Sequence, residues 1–199
     1  PGHYPLIITA TDQNGKTTQV IREIVAYADS GWDPFNQEIL QDLWTTEDLI
    51  LKDGTTPPSS YSFDETPNRL AVKLETNPAK PLTLNSPNHP RMWRNTPAGI
   101  WSFTSEVTLS SVQQGDFYTG IIVDGEQNGS PVRFTVGMED GDLLRAKKIT
   151  TSGTTILGSI SWTEKDAVVR IFKKTTGIDL QYRTEPGVWE TLGRASGNI

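Results

Sequence analysis

The chain has 199 residues with 18 basic and 24 acidic side chains, a formal charge of -6, two histidines and no cysteine. That length suffices for one good-sized domain, or one domain plus part of a neighbour, and for a core that needs no covalent staples. The charge argues against a binder of nucleic-acid backbones, which needs a clustered positive field; the missing cysteines exclude thiol catalysis, thiolate metal sites and disulfides; no apolar run reaches the length for membrane insertion.

Neutral partners fit this balance better. The chain opens at Pro1 without a basic or apolar leader, so any signal peptide lies outside these residues. Thr, Gly, Pro and Asn richness, with six Trp and no Cys, is common in exported polysaccharide-handling proteins, and the expected location is secreted or cell surface.

Residues 4 to 27 read as a β-hairpin. Tyr4, Leu6 and Ile8 alternate before Asp12-Gln-Asn-Gly15, and Val20, Ile21, Ile24 and Val25 follow. Residues 28 to 36 read as a linker. Ile39 to Leu51 holds the one plausible helical turn, with Leu40, Leu43 and Trp44 on one side, and Pro57-Pro58 stops any regular element. From Arg69 the chain is strand after strand: 69–75, 100–110, 117–124, 132–138, 143–149, 154–161, 166–174, 178–184 and 188–192. No strand-helix alternation appears. The fold class is therefore all-β, an antiparallel sandwich preceded by a hairpin, with residues 1–28 as a hairpin that is either the tail of an upstream domain or a pair of strands docked on the sandwich, 29–66 as linker and entry segment, and 67–199 as the sandwich.

Two resemblances rest on particular residues. Gly2-His-Tyr4, Ala10-Thr-Asp12 and the hairpin pattern resemble the last two strands of an immunoglobulin-like or cadherin-like repeat of bacterial surface proteins. From about Trp32 onward, the order of features resembles the concanavalin A-like lectin/glucanase superfamily, and most of all the accessory domains of family 43 β-xylosidases. The residues carrying it are Asn68-Arg-Leu70, Trp101-Ser-Phe103, the strands Tyr118 to Asp124 and Val132 to Gly137, and the closure Trp189-Glu-Thr-Leu-Gly193. This resemblance implies a jelly-roll sandwich and a polysaccharide or glycan as partner, with neighbouring domains of the same polypeptide beside it.

Catalytic residues do not emerge. A glucanase of that superfamily aims several acids from one strand into one groove, and no such run exists here. Glu139-Asp140-Gly-Asp142 is the nearest cluster and reads as a hairpin turn. His3 is almost terminal and His89 lies in the turn-prone Asn88-His-Pro90. A histidine-based metal site lacks ligands, while calcium remains open at Asp124 and Asn128, in the loop Asp124-Gly-Glu126-Gln-Asn128. Asn128-Gly-Ser130 also matches a glycosylation sequon.

Sugar rings are read by aromatic faces and by planar polar side chains. Strand parity sets Arg133 and Thr135 opposite the apolar face of Val132, Phe134, Val136 and Met138. It likewise groups Asp179, Gln181 and Arg183, and puts Tyr118 and Asp124 opposite Phe117, Ile121 and Val123. Pro90-Arg-Met-Trp-Arg94-Asn95 presents Arg91 and Trp93 on a loop or edge, whereas Trp32, Trp44, Trp101 and Trp162 read as packing residues and Trp189 as core. The expected ligand-binding set is Arg91, Trp93, Tyr118, Asp124, Arg133, Asp179, Gln181 and Arg183, on one shared groove. The leading expectation is a non-catalytic carbohydrate-binding module; the alternatives are a structural or adhesive surface domain that assembles through strand contacts, and a glycoside hydrolase.

Overall fold

The computed structural model describes residues 2–11, 17–26, 44–47, 50–51, 60–62, 70–73, 91–109, 118–140, 142–197 and 199. Every regular element among them is a strand. In chain order these are β1 (Gly2–Thr11), β2 (Thr17–Ala26), β3 (Thr45–Glu47), β4 (Ile50–Leu51), β5 (Ser60–Ser62), β6 (Ala71–Lys73), β7 (Arg91–Trp93) and β8 (Trp101–Thr108). There follow β9 (Tyr118–Gln127), β10 (Ser130–Glu139), β11 (Leu143–Thr150), β12 (Gly153–Ser161), β13 (Asp166–Lys174), β14 (Gly177–Glu185) and β15 (Val188–Ser196).

The chain forms two compact units, one of Pro1–Leu43 with Tyr61–Val72 and one of Trp44–Ser60 with Lys73–Ile199. In the first, β1 and β2 pair antiparallel from Gly2 opposite Ala26 to Thr11 opposite Thr17. The Asn-Gly turn between them, the linker at 28–36 and both histidine side chains lie outside the described residues.

The helical turn expected within residues 39–51 does not form in the part that is described. Thr45 and Thr46 run extended and pair with Trp93 and Met92 of β7, because two consecutive β-branched side chains favour the pleat over a helical turn. Residues 39–43 lie outside the described set.

The second unit contains two four-stranded antiparallel sheets. The first has the order β12-β11-β10-β9, a meander of consecutive hairpins; the second has the order β15-β14-β13-β8, in which β8 reaches β13 across the whole of the first sheet. Alternation explains how they meet. Ile121, Val123, Val132, Phe134, Val136, Met138, Leu144 and Ala146 line the inner face of one sheet; Trp101, Ala167, Val169, Ile171, Ile178, Leu180 and Tyr182 line the other, in one core. The chain is an antiparallel β-sandwich preceded by a β-hairpin.

Local chemistry fixes the register. Asn128 and Gly129 both have positive φ, 55° and 73°, the pair required by the tight turn that joins β9 to β10. Asp140 also has positive φ, 57°, in the turn between β10 and β11, which follows Glu139, the last residue of β10. In the β11–β12 pairing Lys147 lies opposite Ile156 and Ala146 opposite Gly158, which leaves Leu157 as the extra residue of a bulge. There the edge strands of the two sheets press together: a Cβ built on Gly158 would lie 1.7 Å from the Leu192 carbonyl oxygen, and one on Gly193 2.7 Å from the Leu157 Cβ. The closure motif ending in Gly193 thus has a physical reason, since a side chain there would hold the sheets apart.

Candidate functional site

The polar residues singled out in the sequence occupy two faces of the sandwich. Arg133 pairs with Asp124 across β10 and β9, with parity opposite to Val132 and Phe134; Asp179 and Gln181 have parity opposite to Ile178 and Leu180 on β14. Each group points away from the shared core, on opposite sides of it. The expectation of one groove is therefore corrected: parity assigns a face within a strand, while the sheet to which the strand belongs decides the side of the molecule.

On the first sheet, the Asp124 carboxylate is held by two guanidinium groups. Arg133 donates from Nε to Oδ1 at 2.6 Å and from Nη2 to Oδ2 at 2.9 Å, a bidentate fork, and Arg91 Nη1 lies 3.8 Å from Oδ2. Arg133 is only 4% exposed, whereas half of the Asp124 side chain meets solvent. Both faces of β10 are buried from Val132 to Met138, so Arg133 is a supporting residue and not part of an open groove. Of the two calcium candidates, Asp124 has its charge met by Arg133 and Arg91, and Asn128 lies in the turn after β9 with positive φ. Among the described residues no three His, Cys, Asp or Glu side chains gather into a metal site.

Arg91 comes from β7, and Trp93 follows two residues later on the same strand face. Trp93 is 44% exposed. Its strand is tied to the sandwich through Trp44, whose ring meets that of Phe103 edge-on at 6.2 Å and lies under Arg94 at 5.9 Å. Arg91, Trp93, Asp124 and Arg133 thus form one neighbourhood: an exposed indole on the strand whose arginine reaches the neutralised, half-exposed carboxylate.

Tyr118 lies on the same sheet face but serves the fold. Its hydroxyl donates to the Ile121 carbonyl at 2.7 Å and occupies the space beside Gly120 where a Cβ would sit. Burial pushes this phenol far above its ordinary value, and a hydrogen bond to Glu190 raises Tyr182 in the same direction. A group with a raised folded pKa supports stability below its unfolded value and loses that support as pH rises. Urea unfolding should therefore show a fall in stability above about pH 10, the ordinary phenol value, and Tyr118→Phe should flatten it; an unchanged alkaline slope would place Tyr118 in solvent.

On the second sheet, Arg170 lies between two aromatic rings, 3.9 Å from the Trp189 centroid and 5.7 Å from that of Phe172, and donates from Nε to Gln181 Oε1 at 2.8 Å. Arg183 stands over the other part of Trp189 at 5.8 Å. Trp189 is therefore on the outward face, opposite Arg183, and not in the core as its closure motif suggests. Asp179 takes Lys174 on Oδ2 and faces Arg194 Nε at 3.4 Å on Oδ1. Lys174, Arg194 and the Arg170–Trp189 stack escaped sequence reading; their signal was the same alternation that marks Asp179 and Gln181.

The turn acids are engaged as well. Arg145 Nη1 donates to Glu139 at 3.1 Å and to Asp140 at 2.9 Å, and Lys147 pairs with Glu139. Both Glu139 oxygens and Asp140 Oδ2 are thereby paired with cations.

No family model matches the chain, and no curated protein does. Solved structures do. The GH43 protein BlXynB from Bacillus licheniformis is similar over 95% of this chain and 37% of its own, with a TM-score of 0.62 and 15% identity. A mutant of that protein gives the same coverage and TM-score at 16% identity. The Bacteroides ovatus protein Xyloglucan PUL GH43B matches 94% of this chain and 38% of its own, with a TM-score of 0.60 and 14% identity. The likeness is one of fold. The chain spans little more than a third of the length of these proteins.

Proposed function

We propose that the chain is a non-catalytic carbohydrate-binding module, on a concanavalin A-like sandwich, within a larger secreted or cell-surface protein. The observation that carries this reading is the exposed Trp93 on the strand of Arg91, which reaches the Asp124 carboxylate fixed by Arg133. An indole face packs on the C–H surface of a sugar ring, and a rigid guanidinium-carboxylate pair offers both donors and acceptors to adjacent hydroxyls. The fold shared with GH43 chains supports a glycan as partner. The engagement of Glu139 and Asp140 with Arg145 and Lys147 supports binding without bond cleavage.

The test is calorimetric titration with xylo-oligosaccharides and xyloglucan oligosaccharides. Binding of at least one is expected, weakened about tenfold or more by Trp93→Ala and less by Arg91→Ala, at an unchanged unfolding midpoint; tenfold corresponds to ~1.4 kcal/mol. A flat response to neutral glycans, or binding indifferent to Trp93, sinks the reading.

A further inference from the structure

One end of the outward face of the second sheet has a charge opposite in sign to the chain as a whole. At that end, from the row of Arg170 and Gln181 to the β13–β14 turn, the outward positions carry Arg170, Lys174 and Arg194 against one carboxylate, Asp179, which is itself 5% exposed, and Arg183 follows in the next row. The other acids of this face, Glu106, Asp166 and Glu185, sit at its other end, Glu106 in the cross-strand row of Arg183 with Val168 between them. A local excess of cations on a chain of net charge -6 is a surface asymmetry that selects an anionic partner.

Its construction narrows the partner. Lys174, Phe172, Arg170, Trp189 and Arg183 form a ladder in which cations and rings alternate, with separations between 3.9 and 5.8 Å. Ring contacts hold these cations in place, so little entropy is lost when a ligand meets them. At one end, Arg194 meets Asp179 through Nε while its side chain is 70% exposed, which turns the rest of the fork to solvent. Beside it lies a shallow pocket of about 260 Å³ lined by Lys174, Thr176, Gly177, Asp179, Arg194 and Ser196. That space is below the range for a drug-sized ligand and admits a single sugar ring, with two hydroxyl side chains at its wall. From Asp179, opposite Arg194, to Arg183 is four residues of β14, about 13 Å of strand, a span for a short oligomer.

We propose that this face is a second binding site, on the side of the sandwich opposite Asp124 and Arg133, for a saccharide that carries carboxylates, a uronate oligomer. Arg194 takes one carboxylate in bidentate fashion at the pocket, Thr176 and Ser196 meet ring hydroxyls, and Arg183 receives a carboxylate farther along the chain. The site does not depend on the Trp93 reading.

The experiment is calorimetric titration of the 199-residue chain at low salt with hexagalacturonate, and with the same oligomer after its carboxyl groups are reduced to alcohols. The charged oligomer should bind and weaken as salt is raised, and the reduced one should give no heat. Arg194→Gln and, separately, Arg183→Gln should each weaken binding severalfold, with circular dichroism and the unfolding midpoint unchanged. No binding of hexagalacturonate, equal binding of the reduced oligomer, or indifference to both substitutions overturns the proposal. A neutral xyloglucan oligosaccharide titrated in parallel reads the Trp93 site alone, so either proposal can fail without the other.

Discussion

Replacing Phe134 with alanine should cost the sandwich about 3 to 5 kcal/mol, a large share of the stability that a domain of this kind possesses. Phe134 is fully buried on β10, in the core that fills the space between the sheets. It sits opposite Val123 of β9 and Lys148 of β11, in a strand flanked on both sides, so the structure around it has little freedom to collapse into the void. Urea denaturation followed by far-ultraviolet circular dichroism measures the loss. A cost under about 1 kcal/mol would mean that the two inner faces do not meet at this residue.

Gly158→Ala should destabilise by a comparable amount, about 3 kcal/mol, the upper end of what overpacking costs. The added methyl would stand 1.7 Å from the Leu192 carbonyl oxygen and within contact of the Leu192 side chain, and the backbone of β15 cannot yield as a flexible side chain could. Relief requires β12 and β15 to separate at the seam between the sheets. The same denaturation experiment reads the effect. Wild-type stability for Gly158→Ala would show that the seam is open, while a loss without change in the steepness of unfolding would place the damage in the native state.

Much of the fold was legible because its signals are local. Alternation along Val132 to Met138 identified the inner residues of β10, and the Gly125 to Gly129 turn signal separated β9 from β10. What could not be read was which strands share a sheet. The pairing of β8 with β13 joins segments far apart in sequence, and only that pairing sends Gln181 and Arg133 to opposite sides. The burial of Arg133 was hidden for a related reason. A strand covered on both faces, with a polar residue satisfied by a cross-strand carboxylate, shows the same alternation as one with a wet face.

The candidate site shows the same division. That Trp93 is presented near arginines followed from its flanking prolines and polar neighbours, while the short strand beneath it exists only through pairing with Thr45 and Thr46. Arg91 meeting Asp124 is likewise a tertiary event. The outward placement of Trp189 was missed because a tryptophan in a closure motif reads as apolar filling, whereas here arginines on neighbouring strands solvate its ring.

The strand order also sets how the sandwich bears mechanical load. β8 and β15 are the two rims of one sheet, and they are the strands by which the chain enters and leaves the sandwich. Tension applied between the segment before Trp101 and the end of β15 is therefore carried across the hydrogen-bond rows of β8, β13, β14 and β15. The β9 to β12 meander lies between β8 and β13 in sequence and meets that pull through its contacts with β15, the Gln127 hydrogen bond to the Ser196 carbonyl and the Gly158 seam.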